Sequence, residues 1–178
     1  HAACVAVSES PGETYNPLFI HGSVGLGKTH IMQAACQALK KRKPASKILY
    51  LTCETFVNDF VRALRQGDLY DFRYKYRYVD VLVIDDIQFL TEKEQSQEEF
   101  FHTFNSLYQS RKQIIISADS PPSEIPKLED RLISRFNQGL VTRIDNPAFE
   151  TRMAILYNKA ALRGINPPED VIVFIAER

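Results

Sequence analysis

The chain has 178 residues, of which 44% are hydrophobic, and its 22 lysines and arginines balance its 22 aspartates and glutamates. This length and composition predict one globular domain with a sizeable core. Zero net charge argues against a uniformly basic nucleic-acid coat and against an acidic disordered tail. Because no apolar run is long enough for a membrane span and no signal segment opens the sequence, we expect a cytoplasmic protein.

Hydrophobic periodicity predicts strands that alternate with helices along residues 1–146. The predicted strands are 18–20, 48–51, 79–84, 114–116 and 141–144. The predicted helices are 28–41, 54–66, 69–77, 97–108 and 128–136. The run from Val81 to Ile84 is apolar without alternation, which is typical of a central parallel strand buried on both faces. The sequence therefore predicts an α/β domain whose parallel sheet is flanked by helices.

The remaining residues, 147–178, show a purely helical pattern, with helices predicted at 150–162 and 169–177. We therefore predict two parts. Residues 1–146 form an αβα core, and residues 147–178 begin a small helical lid that the sequence does not complete.

A glycine-rich segment lies between the first predicted strand and the first predicted helix. Residues 22–29, GSVGLGKT, satisfy the pattern G-x-x-x-x-G-K-[ST]. Such a loop turns its backbone N–H groups toward phosphate oxygens, and the following helix N-terminus adds partial positive charge. We expect Lys28 to contact the β and γ phosphates and the Thr29 hydroxyl to bind Mg²⁺. A dinucleotide fingerprint is excluded because Gly25 and Gly27 have no third glycine three residues further on.

Acidic residues follow two of the buried strands. Asp85 and Asp86 end the strand at 79–84, where an open parallel sheet binds its ligand. We expect Asp85 to hold Mg²⁺ through water and Asp86 to polarise the attacking water. Asp86 is one methylene shorter than the Glu that most such ATPases carry, which predicts slow hydrolysis. Asp119 follows the strand at 114–116; it either lies beside the γ phosphate or only forms the turn before Pro121.

Two surface patterns allow both a structural and a functional interpretation. Arg131 and Arg135 lie four residues apart on one helix face, where they either form ion pairs with Glu129 or Asp130, or reach a neighbouring subunit's ATP. Residues 62–78 interleave arginines and lysines with tyrosines and Phe72. That composition suits a nucleic-acid surface, but Phe72 and Tyr76 could equally pack in the core.

We predict that the zero net charge results from two patches of opposite charge. Acidic residues from Asp85 to Glu99 concentrate negative charge, while residues 62–77 concentrate positive charge. Such patches would suit head-to-tail stacking of copies.

Several segments carry a more specific resemblance. They are Asn16 to His30, Val79 to Leu90 (VDVLVIDDIQFL), Gln97 to Asn105 (QEEFFHTFN), Glu129 to Phe136 (EDRLISRF) and Glu150 to Arg152. In this order they closely resemble the DnaA family of bacterial replication initiators, over nearly the whole chain. The resemblance implies an AAA+ ATPase domain that binds ATP tightly, hydrolyses it slowly and assembles into a helical filament on origin DNA.

The resemblance also implies roles for individual residues. The predicted nucleotide-binding set is Asn16, Gly22, Gly25, Leu26, Gly27, Lys28, Thr29 and His30. The predicted catalytic set is Lys28, Asp85, Asp86, Asp119 (the first sensor) and Arg135 (the arginine finger). Thr29 and Asp85 would hold Mg²⁺, and Arg131 with Arg135 would form a subunit interface. Residues 54–78 match the initiator-specific helical insertion, and Val61, Lys93 and Ser96 match positions that touch single-stranded DNA.

The expected cofactors are ATP or ADP with Mg²⁺. The expected partners are further copies of the chain, origin DNA including single strands, a replicative helicase and regulatory proteins. The expected location is the bacterial cytoplasm, in association with the nucleoid. We also expect the sequence to lack the family's N-terminal adenine-side segment, the second-sensor arginine and the duplex-reading domain. Two alternatives stay open: a related AAA+ helicase loader or initiator regulator, and a P-loop phosphotransferase acting on small molecules.

Overall fold

Parallel strands form one sheet at the centre of the structure. The computed structural model describes residues 1–177, and in these residues the strands are β1 (Leu18–His21), β2 (Ile48–Thr52), β3 (Val81–Asp85), β4 (Gln113–Ala118) and β5 (Leu140–Arg143). They lie in the order β2-β3-β4-β1-β5, and every neighbouring pair is parallel. The predicted α/β fold with a parallel sheet flanked by helices is confirmed.

Helices of residues 1–144 cover both faces of the sheet. They are α1 (Ala2–Glu9), α2 (Lys28–Arg42), α3 (Cys53–Gln66), α4 (Leu69–Arg77), α5 (Glu94–Gln109) and α6 (Asp130–Phe136). Two further helices follow in the chain, α7 (Phe149–Leu162) and α8 (Glu169–Ala176). Short 3-10 helices follow β3 at Ile87–Leu90 and β4 at Pro122–Glu124. Helix α1 was not predicted; it buries Cys4 and Val7 in the core that α2 shares.

The strand β3 is buried on both faces, as its unbroken apolar run predicts. Leu82 and Ile84 pack into a core that includes residues of α3, α4, α5 and α6. Val81 and Val83 point to the opposite face and pack with residues of α1 and α2. Because side chains alternate along a strand, one short strand contributes to two separate cores.

Helices α3 and α4 occupy the predicted insertion. Thr52 caps α3 by accepting a hydrogen bond from the Thr55 backbone N–H at 3.2 Å, and Gly67 ends the helix in a left-handed conformation with φ 77°. Phe72 and Tyr76 are buried, and their rings pack edge-on against Phe56 at 5.3 and 4.9 Å between centroids. The core interpretation is therefore right for these two aromatic residues.

The predicted opposition of charged patches is partly wrong. Glu99 is buried, and its carboxylate bonds to Arg73 at 2.9 Å and to Arg77 at 2.5 Å. Two cations of the basic segment thus meet an anion of the acidic segment within one chain, because α4 packs against α5. One carboxylate therefore partly neutralises two arginines within the chain, which reduces the charge left for pairing between copies.

The chain divides into two compact units, the first from His1 to Ile144 and the second beginning at Asp145. In the second unit α7 packs on α8, and the Arg152 guanidinium donates to the Ala176 carbonyl at 2.5 Å and the Pro147 carbonyl at 3.0 Å. Its assignment as the start of a lid stays a prediction. Within residues 1–177 no helix combines the length and apolarity that crossing a membrane demands.

Candidate functional site

The loop between β1 and α2 takes a shape that only glycine permits at several positions. A Cβ on Gly22 would lie 2.5 Å from the Ile144 carbonyl oxygen. Gly25 and Gly27 have φ of 86° and 92°, in the left-handed region, and open space lies where their side chains would be. The backbone can therefore wrap a bulky anion closely, and Gly27 is the N-cap of α2.

Lys28 is held at the mouth of this loop. Its side chain is 7% exposed, and its Nζ donates to the Gly22 carbonyl at 2.6 Å, the Ser23 carbonyl at 3.2 Å and Asp119 Oδ1 at 2.7 Å. Asp119 reaches this point because β4 lies between β1 and β3 in the sheet. The structure therefore places Asp119 beside the phosphate loop, in addition to its position before a turn.

Asp85 is the centre of a hydrogen-bonded cluster of oxygens. It is 4% exposed, and its Oδ2 accepts from the Thr29 hydroxyl at 2.8 Å and the Tyr50 hydroxyl at 2.7 Å. Its Oδ1 accepts from the Ser117 hydroxyl. Burial raises the pKa of Tyr50, and the bond to Asp85 raises it further, so the phenol stays protonated and donates.

The Thr29 and Asp85 pair fits a magnesium ion. A hydroxyl and a carboxylate are hard oxygen ligands, and protein-bound Mg²⁺ typically takes one or two such side chains, with water and substrate phosphates as its other ligands. The two side chains already converge on one point next to the phosphate loop.

Asp86 adopts a left-handed backbone with φ 58° and ψ 57°, which turns the chain after β3. Its backbone N–H donates to the Ser117 hydroxyl at 2.9 Å, and its Oδ1 accepts from Gln88 Nε2 at 3.3 Å. Gln88 Nε2 also donates to Asp119 Oδ2 at 3.0 Å, so one amide bridges two carboxylates. Burial raises the pKa of Asp86, and the nearby charge of Asp85 acts in the same direction.

Most residues of the predicted phosphate site line one cavity of about 570 Å³, here called the phosphate cavity. Its lining residues are Val24, Gly25, Gly27, Lys28, Thr29, His30, Gln33, Asp86, Gln88, Phe89 and Asp119. Of the predicted nucleotide-binding set, Gly22 does not line this cavity, but its carbonyl accepts a hydrogen bond from Lys28. Leu26 belongs to the loop but does not line the cavity.

Asn16 lies apart from the other residues of the predicted nucleotide-binding set, and its role in nucleotide binding stays a prediction. Asn16 precedes β1, whereas the phosphate loop follows it, so the length of the strand separates them. Its side chain donates to the Lys112 carbonyl at 2.8 Å and accepts from the Ile114 N–H at 2.9 Å. Asn16 therefore joins the amino ends of β1 and β4.

Polar residues of the site that were not predicted include Tyr50, Gln88, Ser117 and Gln33. Ser117 carried a usable signal, because it is a polar residue at the end of the apolar run Ile114-Ile115-Ile116, in a strand that adjoins β3. Tyr50 lies in β2, which also pairs with β3. A polar side chain near the carboxyl end of a buried parallel strand indicates a partner at the same sheet edge.

The three residues predicted to touch single-stranded DNA lie together. Val61 of α3 and Lys93 and Ser96 at the start of α5 line one groove of about 1300 Å³, which Arg131 also borders. Lys93 is exposed, while Ser96 is only 4% exposed. Lys93 therefore offers most of the accessible polar surface of the three.

Arg131 and Arg135 share one aromatic support. Their guanidinium carbons lie 4.8 and 5.8 Å from the centroid of the Phe101 ring. Arg131 also forms an ion pair with Glu129, as one interpretation of the sequence predicted. Neither arginine is among the residues that line the phosphate cavity of its own chain.

A five-stranded parallel sheet in the order 2-3-4-1-5, with a phosphate loop after its first strand and two carboxylates after its third, defines an AAA+ P-loop ATPase domain. Residues 1–143 match the family model described as the bacterial DnaA ATPase domain. The chain belongs to the DnaA family.

Known relatives agree with this assignment. The chain is 54% identical over all 178 residues to the chromosomal replication initiator protein DnaA of Caldanaerobacter subterraneus, of which it spans 40%. It superposes on the crystal structure of domain III of the Thermotoga maritima replication initiation protein DnaA with a TM-score of 0.95 at 44% identity, covering 99% of this chain and 73% of that one. A structure of replication initiator DnaA bound to AMPPCP and single-stranded DNA matches with a TM-score of 0.91 at 39% identity, covering 99% of this chain and 54% of that one. The DnaC helicase loader, at 17% identity and a TM-score of 0.71, shares the fold.

Proposed function

We propose that this chain binds and slowly hydrolyses ATP, and that the bound nucleotide controls assembly of copies on origin DNA. The observation that supports this most directly is the convergence of Lys28, Thr29, Asp85 and Asp119 on one loop. A DnaA relative that carries AMPPCP and single-stranded DNA provides the second line of support.

Each residue has a separate task in the proposed reaction. The Lys28 ammonium neutralises the β and γ phosphate oxygens, and Asp119 keeps it at the mouth of the loop. Thr29 and Asp85 hold Mg²⁺, which when bound supplies positive charge to the same phosphates. Asp86 orients the attacking water and accepts its proton. Its short side chain and the bond from Gln88 set a position from which hydrolysis is slow.

Assembly is proposed to depend on Arg135 of one copy meeting the ATP of the next. The support is that Arg135 does not line its own phosphate cavity and that Phe101 holds its guanidinium in place. Arg131, on the same helix, would transmit contact between copies. A mixture of wild-type protein with Arg135→Ala is expected to assemble less with ATP, and unchanged sedimentation of the mixture would contradict the role in trans.

Single-stranded DNA is proposed to lie in the groove of Val61, Lys93 and Ser96. Lys93 would neutralise phosphate and Val61 would contact sugars or bases. Ser96 contributes through its place in the groove wall, because it is nearly buried. A replicative helicase and regulatory proteins remain proposed partners of the assembled form.

The test of the proposed function is nucleotide binding and turnover by matched variants. Lys28→Ala is expected to abolish binding of a fluorescent ATP analogue, whereas Asp86→Asn should keep binding and lose hydrolysis. Lys43→Ala, an exposed lysine beyond α2, is the control. Binding of ATP by Lys28→Ala at wild-type affinity would overturn the proposal.

The alternatives of a helicase loader and a small-molecule phosphotransferase receive less support. The likeness to the helicase loader DnaC concerns the fold, whereas the DnaA family model spans residues 1–143.

A further inference from the structure

Tyr70, Tyr74 and Tyr78 form a row along the outer face of α4 and its C-terminal end. Their spacing of four residues puts them on one side of the helix, opposite the buried Phe72 and Tyr76. They are 79%, 54% and 68% exposed. The rings of Tyr74 and Tyr78 stack, with centroids 4.9 Å apart and an angle of 27° between their planes. We call these three residues the tyrosine row; its stacked pair is a preformed platform for another flat ring.

Cationic side chains border a cavity of about 660 Å³ beside the tyrosine row. Arg73 and Arg77 come from α4, Lys47 precedes β2 and Lys112 precedes β4. Asp80 also lines the cavity and pairs with Lys112 at 2.7 Å. Among the described residues that line the cavity, Asp80 is the acidic one, and Glu99 lies beneath the two arginines, so four cations against two carboxylates leave an excess of positive charge.

The two arginines are held in place from below. Glu99, 5% exposed, binds Arg73 through Oε2 and Arg77 through Oε1. The Nε of Arg77 is buried and has no hydrogen-bond partner among the described residues. Guanidiniums fixed in this way lose little conformational freedom when an anion binds to their remaining donors.

The cavity is separate from the two sites already described. Lys47 and Lys112 precede strands, so they lie at the amino ends of the parallel sheet, whereas the phosphate loop lies at the carboxyl end. A five-residue strand puts about 16 Å between these edges. The cavity also shares no lining residue with the groove of Val61 and Lys93.

We propose that this cavity and the tyrosine row form a second contact site for single-stranded nucleic acid. Bases stack on Tyr74, Tyr78 and Tyr70, while phosphates lie against Lys47, Arg73 and Lys112. Stacked aromatic rings beside cations match a chain that alternates flat bases with phosphates better than they match an acidic protein segment. This site goes beyond the proposed function, which uses the other groove.

The first experiment maps the contact by photo-crosslinking in a Lys93→Ala background. This substitution is chosen to weaken binding in the groove of Val61, Lys93 and Ser96, so that adducts there do not mask those at the tyrosine row. A short oligonucleotide carrying 5-bromodeoxyuridine is irradiated with the full chain, and adducts are located by mass spectrometry. Adducts on Tyr70, Tyr74 or Tyr78 are expected. Adducts confined to peptides outside residues 69–78 would overturn the proposal.

The second experiment measures affinity for a fluorescein-labelled thymidine oligonucleotide at several salt concentrations. Replacing both Tyr74 and Tyr78 by Ala should weaken binding about 5- to 100-fold, because each stacked base contributes about 1–3 kcal/mol. Replacing both by Phe keeps the stacking surface and should bind as the wild type does. Tyr157→Ala, on α7, is the control for loss of an exposed tyrosine. Equal affinity of the Ala and Phe double variants would contradict the proposal.

Charge is tested separately. Lys47→Ala should reduce the slope of log affinity against log salt by about 0.7, the value for one phosphate contact on a single strand, whereas Lys43→Ala should not. Free thymidine monophosphate and a polyglutamate peptide serve as competitors. Displacement of the oligonucleotide by either one at equal concentration of anionic groups would overturn a strand site in favour of a mononucleotide or an acidic protein partner.

Discussion

Lys28 Nζ and Asp119 Oδ1 lie 2.7 Å apart, although 91 residues separate them in the chain. The pair joins the helix after β1 to the loop after β4, and Asp119 is 42% exposed on its outer side. A carboxylate in this position can hold the ammonium and still face a bound phosphate.

We expect Asp119→Ala to weaken ATP binding about tenfold, since it removes a charge-assisted hydrogen bond to Lys28. Asp119→Asn should weaken it less, because the amide oxygen still accepts from Nζ. Isothermal titration with a non-hydrolysable ATP analogue measures both, and Glu124→Gln on the nearby 3-10 helix is the control. ATP affinity of Asp119→Ala equal to that of the wild type would show that Lys28 needs no such anchor.

Gln88→Ala should lower kcat about tenfold and change KM by less than about twofold, because the side-chain amide orients Asp86 and Asp119 and, among the described residues, forms no hydrogen bond to the phosphate loop. Steady-state ATPase measurements separate the two constants. Gln37→Ala, exposed on α2, is the matched control. A rise in KM with an unchanged kcat would assign Gln88 to nucleotide binding instead.

Glu99→Gln should destabilise the core by about 2 kcal/mol, because two guanidiniums lose their carboxylate while Arg73 stays half exposed. Burial raises the pKa of Glu99, but the bonds from Arg73 and Arg77 outweigh it and lower the pKa overall. A lowered pKa stabilises the fold above the unfolded value of about 4.3, and this contribution is lost as the pH falls through the folded value.

Urea unfolding between neutral and acid pH checks this prediction. The wild type should lose stability more steeply than Glu99→Gln as the pH falls below about 4.3. Glu98→Gln, the exposed neighbouring residue, controls for the loss of one carboxylate. Parallel pH curves for wild type and Glu99→Gln would contradict the assignment.

Thr52→Ala should cost about 1 kcal/mol by removing the cap of α3. The thermal midpoint should fall by about 3 °C in a chain of this size. Differential scanning calorimetry provides the measurement, with Thr151→Ala on α7 as the control. If both variants have the same thermal midpoint as the wild type, the hydroxyl of Thr52 does not stabilise the helix.

The sequence predicted those parts of the site that depend on local pattern. Lys28 and Thr29 follow from a loop motif, and Asp85 follows from its position after a doubly buried strand. The position of Asp119 near the phosphate loop could be predicted because parallel strands end at one edge of the sheet. Asn16 was assigned from the family resemblance, and in the structure β1 separates it from the phosphate loop.

Other features depended on packing that no local pattern encodes. Helix α1, AACVAVSE, has small side chains with no clear polar stripe, so periodicity does not reveal it. The bonds from Arg73 and Arg77 to Glu99 require α4 to pack against α5 at one particular register. The exposed tyrosine row became distinguishable from the buried aromatics only when the faces of α4 were known.

The Ser117 hydroxyl couples the end of β4 to the end of β3. It donates to the Asp85 side chain and accepts from the Asp86 backbone, so one oxygen on β4 pins two consecutive residues of β3. Asp119 lies two residues beyond it on the same chain segment. A shift of the β4 terminus would therefore displace Asp85, Asp86 and Asp119 together.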